Sequence, residues 1–455
     1  MPIRPTRSTR RFALATLSAG VLAAVALPGN RVGLGMALVA TLVLIAVALC
    51  GALRRTWDTA AGVSLAAALA AMAVVRDASW LVAFDLMAAT TVLVLTAVRA
   101  HTWRAMAGAV LVWLAELMPA PLVVAWCTGV RPAPRVGRRL APLARGLALG
   151  AALVVVFGAL FASADQAFAH LTGQVLNPEV DLAGATARIG AGLVAVAICG
   201  AVWLTALASD GRSEPEPAKG GGASTEWMVA LSLLNVLFAA FLAVQLRVLF
   251  GGDDYVQDTA GVTYAHYARE GFYQLLAVAF LVLAVVAVAG RRRGERAGRR
   301  PTPVELLLGV LCLLTLVVLA SALRRLGLLE DTYGFTLTRL FGHAGTLWVG
   351  AVLLWVLAAG ALRRTELLPR AIVTTTAAGL LAFSLANPEG LVARENVDRF
   401  ERTGKIDTAY LRTLGADATP ALLRLPAHER AQADPVVPGG DPFFAYNLAR
   451  AQARR

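Results

Sequence analysis

Apolar residues run in long blocks along this chain, separated by short polar stretches rich in arginine. The blocks at 32–53, 227–246, 275–290, 304–323 and 344–362 are each near or above the roughly 20 residues a helix needs to cross about 30 Å of hydrocarbon. Lipid offers the backbone no hydrogen-bond partners, so these blocks must be helices and not open strands. A membrane barrel would instead show segments of about ten residues with alternating polarity, and that pattern is missing.

The blocks predict spans near 12–28, 32–53, 57–75, 79–98, 146–163, 185–208, 226–250, 269–290, 303–323, 342–362 and 369–387. The stretch 104–130 is a twelfth apolar segment with arginines at both ends, Arg99 and Arg104 before it and Arg131, Arg135, Arg138 and Arg139 after. It is too short for two crossings, and Pro119 and Pro121 interrupt helical bonding, which predicts a broken or re-entrant segment. The expected fold is an all-α polytopic transmembrane bundle of about 11–12 spans with a short helical extramembrane tail.

Arginine placement sets the expected orientation. Clusters at 4–11, 54–55, 99–104, 131–145, 291–300 and 363–364 mark the cytoplasmic side, because cytoplasmic loops of membrane proteins are enriched in basic residues. The basic stretch 1–11 is then cytoplasmic and 12–145 forms a front membrane section. Residues 146–388 form a second section with outer loops at 164–183, 251–266 and 324–340 and a cytoplasmic linker at 209–225. Residues 389–455 are a tail on the outer face.

Composition supports this picture. Of the 455 residues, 58% are hydrophobic and 16% charged, well below the ~25% charged of a soluble chain. Arginine outnumbers lysine heavily, with lysine only at 219 and 405, and alanine, glycine and leucine are abundant, as in GC-rich bacterial genomes. The expected location is a bacterial cytoplasmic (inner) membrane. The net charge of +13 sits in short clusters between spans, which argues against nucleic acid. Four cysteines lie in apolar stretches without close spacing, and five histidines are scattered, so neither a metal site nor a cofactor is expected. Residues 1–27 resemble a signal peptide, but a chain with many further spans favours an uncleaved first helix. Residues 220–225 lack the Gly-Lys-Ser/Thr ending of a phosphate loop and form a flexible linker.

A set of motifs carries a resemblance. These are Phe161-Ala-Ser-Ala-Asp165-Gln-Ala-Phe168, Gln245 to Gly252, and Tyr264-Ala-His-Tyr267-Ala-Arg269-Glu270-Gly271-Phe272-Tyr273-Gln274. Leu323-Arg324-Arg325, Tyr333-Gly334, Asn387-Pro388 through Arg394 and Asn396, and Gly404 through Asp407 to Tyr410 follow. In their order over 146–425 they resemble the uncharacterised bacterial membrane proteins classed as a domain of unknown function, the DUF4173 group allied to DUF4153. The resemblance implies architecture and no activity.

Candidate chemistry concentrates in the second section. On a helix from Tyr264 to Gln274, Tyr264, Tyr267, Glu270 and Gln274 share one third of the circumference while Arg269 points away. Such a stripe is costly against lipid and suits a protein-facing or water-filled site. A capped helix start with interfacial tyrosines would also explain it. Arg324, Arg325 and Arg339 oppose the positive-inside tendency. They either pair with acids such as Asp331 or receive an anionic group, since guanidinium binds phosphate as a bidentate fork. Asp85 and Glu116 are candidate intramembrane ionisable groups.

No catalytic or nucleotide-binding signature is present in the sequence. Three functions follow as expectations. The first is a scaffold or sensory accessory protein acting through outer loops and tail, with a membrane or envelope protein as partner. The second is a transporter or carrier of an anionic or lipidic substrate. The third is a membrane-embedded enzyme on lipid-linked substrates. The lipid bilayer, and within it an anionic lipid, is the other expected partner.

Overall fold

The computed structural model describes residues 7–49, 53, 56–117, 121, 124, 182–209, 225–250, 264–291 and 302–455. All regular elements among them are helical, and the chain is an all-α helical bundle. Among the described residues, five stretches are long and apolar enough to cross a bilayer: Asp58–Val75, Ser79–Val98, Pro303–Gly327, Leu337–Leu362 and Thr365–Leu385. The protein is therefore an integral membrane protein. The expected span 146–163, residues 164–181 of the expected loop 164–183, the interior of the 209–225 linker and residues 251–263 lie outside the described residues, while 182–183 and 264–266 are helical.

The described residues form two compact units, Met1–Ser213 with Val437–Arg455, and Glu214–Val436. The first contains α1 (Arg7–Ala26), α2 (Leu34–Leu49), α3 (Trp57–Val75), α4 (Ser79–Val98), α5 (Trp103–Glu116) and α6 (Leu182–Ser209). Consecutive helices pack against one another from α1 to α5, and α6 packs on α1, α4 and α5. Thr56 and Thr102 start α3 and α5 by accepting the backbone N–H groups of Thr59 and Ala105, each at 3.2 Å.

The α1–α6 crossing depends on small residues. A Cβ on Gly192 would come within 2.8 Å of the Gly20 carbonyl oxygen, and a Cβ on Gly20 within 2.6 Å of Val196. In lipid there is no hydrophobic drive between helices, so such backbone-close contact supplies much of the association.

The second unit contains α7 (Thr225–Phe250), α8 (Tyr264–Arg291), α9 (Pro303–Tyr333), α10 (Leu337–Leu362) and α11 (Leu368–Leu385), followed by α12 (Pro388–Thr403). Helix α9 starts with a capping box. The Thr302 hydroxyl accepts from Glu305 N–H while the Glu305 carboxylate accepts from Thr302 N–H, with Pro303 at the first turn. Helix α9 packs on α7, α8 and α10 around Phe238, Phe272, Leu311, Val349 and Leu353. Asn235 ties α7 to α9 by donating to the Leu307 carbonyl at 3.0 Å. Trp348 and Trp355 tie α10 to α11 through the hydroxyls of Thr376 and Thr375, both at 2.8 Å.

The expectation of a loop over 324–340 is corrected. Helix α9 runs through Tyr333, and only Gly334, Phe335 and Thr336 separate it from α10. Leu326 and Leu329 are buried, so the apolar stripe continues past the arginines and holds the last turns helical. The expected broken segment 104–130 is helical to Glu116, and most of the rest lies outside the described residues. The expected tail is shared between the units: residues 387–436 pack with α10 and α11, and 437–455 belong to the first unit.

Candidate functional site

Polar chemistry in the second unit gathers at the α9–α10 turn. Gly334 adopts φ 83°, a left-handed backbone that side chains resist, and a Cβ there would lie 2.7 Å from Asn396 Oδ1. Asn396, buried on α12, accepts from Phe335 N–H at 3.2 Å and donates to the Phe335 carbonyl at 2.7 Å. One amide thus satisfies both backbone groups of a residue between two helices. The Tyr410 hydroxyl accepts from Leu337 N–H at 2.8 Å, satisfying one of the amides a helix start leaves open.

Helix α12 is placed by its own cap. Asn387 has φ 56° and its side-chain oxygen accepts from Gly390 N–H at 3.1 Å, while its amide donates to the Asp417 carbonyl at 3.1 Å. Glu389 is buried and accepts from Gly415 N–H at 2.8 Å. The buried face of α12 is Val392, Ala393, Asn396 and Val397, and it packs with Leu340, Leu411, Leu414, Leu422 and Leu425. Arg394 and Glu395 are exposed, which gives the helix one apolar and one charged face.

Around this junction Arg339 donates to the Gly334 carbonyl and lies over the Tyr333 ring, 5.8 Å from its centroid. His343 Nδ1 is 3.3 Å from Glu330 Oε1 and 3.2 Å from the Arg339 carbonyl, and its ring stacks on Phe335. Burial pushes the Tyr410 phenol above its ordinary value. The Leu337 N–H works against this, Glu389 adds to the rise, Arg339 opposes it and Asp407 adds to it. Further out, Arg424 spans Asp398 at 2.8 Å and Glu401 at 2.9 Å. Its bonds to Asp398 and then Glu401 hold the guanidinium above its ordinary value.

A second polar cluster belongs to the first unit. Arg450 is fully buried, and it donates to Asp77, to Asp441 at 2.8 Å, to the Val32 carbonyl at 2.8 Å and to the Ala445 carbonyl. Asn447, also buried, donates to the carbonyls of Ala73 at 3.2 Å and Arg76 at 2.8 Å. Residues 437–455 thereby close the α1–α2 and α3–α4 turns. The guanidinium is enclosed by two carboxylates and two carbonyls, so its charge is compensated inside the fold.

Of the candidates from sequence, Arg339 stands in the α9–α10 junction. Arg324 is exposed near the end of α9, and Arg325 is half-buried there and engaged with another group. Asp331 sits in the last turn of α9, and its side chain lies outside the described residues. Tyr264, Tyr267, Arg269, Glu270 and Gln274 share the first turns of α8, and their side chains also lie outside the described residues. Asp85 is fully buried on α4 and interacts with another group, roughly 9 Å from the helix start at 1.5 Å per residue. Glu116 is half-buried at the end of α5.

Sequence reasoning did not assign Arg450, Asp77, Asn447, Glu389 or His343. Asn396 and Tyr410 stood in quoted motifs without a role. Among the described residues no group of three His, Cys, Asp or Glu side chains is placed to hold a metal ion.

Residues 63–425 match the family model described as Domain of unknown function (DUF4153). The match begins within α3 and so takes in much of the front section, beyond the stretch the motifs covered. Among curated proteins and solved structures, nothing matches the chain.

Proposed function

We propose that this chain, which belongs to the DUF4153 family, is a membrane scaffold or sensory accessory protein that presents residues 387–436 outside the cytoplasmic membrane of a bacterium. The observation that supports this is the double grip of Asn396 and Tyr410 on the α9–α10 turn. A partner seated on the charged face of α12 would push on a body bonded to the ends of two helices. A mobile tail could not relay such a push, whereas this one is tied at both Phe335 and Leu337.

The proposed orientation rests on each unit by itself. In the first, Arg7, Arg10, Arg11, Arg99 and Arg104 mark the end opposite the α1–α2 and α3–α4 turns, where 437–455 docks. In the second, Arg363 and Arg364 follow α10 at the end opposite the turn that holds 387–436. The positive-inside tendency supports a cytoplasmic amino terminus in the first unit and, in the second taken alone, an outer position for 387–436.

A carrier of an anionic or lipidic substrate is the second reading, supported by the fully buried Asp85 on a helix long enough to span. Photo-crosslinkers at the exposed positions 395 and 402, in cells, test the first reading. A discrete, stoichiometric protein adduct supports it. Absence of any adduct, together with solute flux by the pure protein in liposomes, would replace it with the carrier.

A further inference from the structure

The segment 437–455 meets the first unit through buried polar groups and small alanines, and at its 443–446 turn it exposes aromatic rings. Asn447, Ala449 and Arg450 are buried, whereas Phe443 is 70% exposed and Tyr446 42%. The Phe443 and Phe444 rings pack edge to face, 5.3 Å between centroids. In a water-facing tail such a cluster is costly, so the height at which it sits along the helices decides its meaning.

Three contacts fix that height. The Tyr446 carbonyl accepts from Leu34 N–H, the first residue of α2, at 2.9 Å. A Cβ on Gly33 would lie 2.6 Å from the Ala445 carbonyl oxygen, so the two backbones touch. Asn447 bonds the Ala73 and Arg76 carbonyls at the close of α3, a helix long and apolar enough to cross the bilayer. Residues 443–447 are therefore level with the ends of α2 and α3, where hydrocarbon gives way to headgroups. The exposed apolar side chains of α1 rise to the same level, with Val21 and Val25 at 65% and 58% exposure.

We propose that the Phe443–Tyr446 turn is an interfacial anchor whose aromatic rings enter the headgroup layer of the bilayer that α3 crosses. The occupant is lipid because the turn continues the lipid-facing surface of the helices it caps. Tyr446, an apolar ring with a polar hydroxyl, favours that layer, and the Phe443 and Phe444 rings supply the apolar face that enters it. The polar side of the segment, built on Arg450 and Asn447, fixes the depth at which the rings are held. The anchor rests on the transmembrane character of the first unit and is independent of the scaffold role.

The test uses the full-length chain with its four cysteines changed to alanine, Phe443→Cys carrying a nitroxide, in phosphatidylethanolamine–phosphatidylglycerol nanodiscs. Reference labels are placed at Met87→Cys, exposed midway along α4, for lipid and at Arg402→Cys for water. The expected result is a ratio of oxygen to nickel-complex collisions between the two references. A ratio equal to that at 402, or a label shielded from both reagents, overturns the anchor. If the cysteine-free chain fails to fold, p-benzoylphenylalanine at 443 in the native-cysteine chain decides. A phospholipid-mass adduct upholds the anchor, and an adduct the size of a second copy or another protein overturns it.

Discussion

Arg450 donates a hydrogen bond to Asp77 across a separation of 373 residues, and both belong to the same compact unit. The pair closes two helical hairpins with a segment from the far end of the sequence. Removing one member of a buried, compensated pair leaves the other charge stranded, which costs about 3–5 kcal/mol. Arg450→Ala is expected to lower the thermal midpoint of the detergent-solubilised protein and to speed proteolysis of 437–455. Arg450→Lys should recover little, because one ammonium cannot reach four acceptors set around a planar fork. A midpoint unchanged in Arg450→Ala would show that the segment adds nothing to the unit.

Asn396 carries the junction of the second unit. Asn396→Leu keeps the volume but strands the N–H and carbonyl of Phe335, at a cost of about 1–3 kcal/mol. Amide exchange over residues 333–337 should accelerate, while exchange in the middle of α9 stays unchanged. Equal protection in both proteins would remove the grip from the account.

Tyr410 predicts an alkaline limb. Its phenol is held above the ordinary 10.0 in the folded protein, so the folded state binds the proton more tightly than the unfolded chain. That contribution is fully present below pH 10 and is lost as pH rises through the folded value. Tyr410→Phe should remove this part of the pH dependence and cost about 1 kcal/mol at neutral pH through the lost bond to Leu337. Chemical denaturation at pH 8 and pH 10.5 measures both. An identical alkaline decline in the phenylalanine variant would assign it to other groups.

The α1–α6 crossing separates two glycines on one helix. A Cβ on Gly192 meets the Gly20 carbonyl, whereas nothing lies within 4 Å of a Cβ on Gly190. Gly192→Leu should destabilise by about 1–3 kcal/mol through overpacking. Gly190→Leu should be close to neutral, and equal midpoints for the two variants would refute backbone-close packing there.

The membrane helices were legible because lipid forces long apolar runs to be helices. α3 and α4 begin and end where the pattern placed them, since Thr56 and Arg76 interrupt it sharply. The stretch 324–333 was misread because Arg324, Arg325, Glu330 and Asp331 resemble a loop when counted as charges. The stripe through Leu326 and Leu329 is what the helix obeys. The polar junctions were hidden for a different reason. Asn396 bonds a residue 61 positions away and Tyr410 one 73 positions away, and no local spacing announces such pairings. The motifs around Tyr333-Gly334, Asn387-Pro388 and Tyr410 marked the right places. Only the fold shows that they meet.

Closing the first unit with residues 437–455 also sets an order of events during synthesis. Helices α1 to α4 leave the ribosome early, yet the group that neutralises Asp77 is made only after the whole second unit. At typical elongation rates the 373 residues from Asp77 to Arg450 take roughly 20–75 s. During it the α1–α2 and α3–α4 turns stand open to membrane chaperones and proteases. A chain cut short before Arg450 would leave Asp77 without this partner and the turns open, so quality control at this end of the helices would meet them exposed.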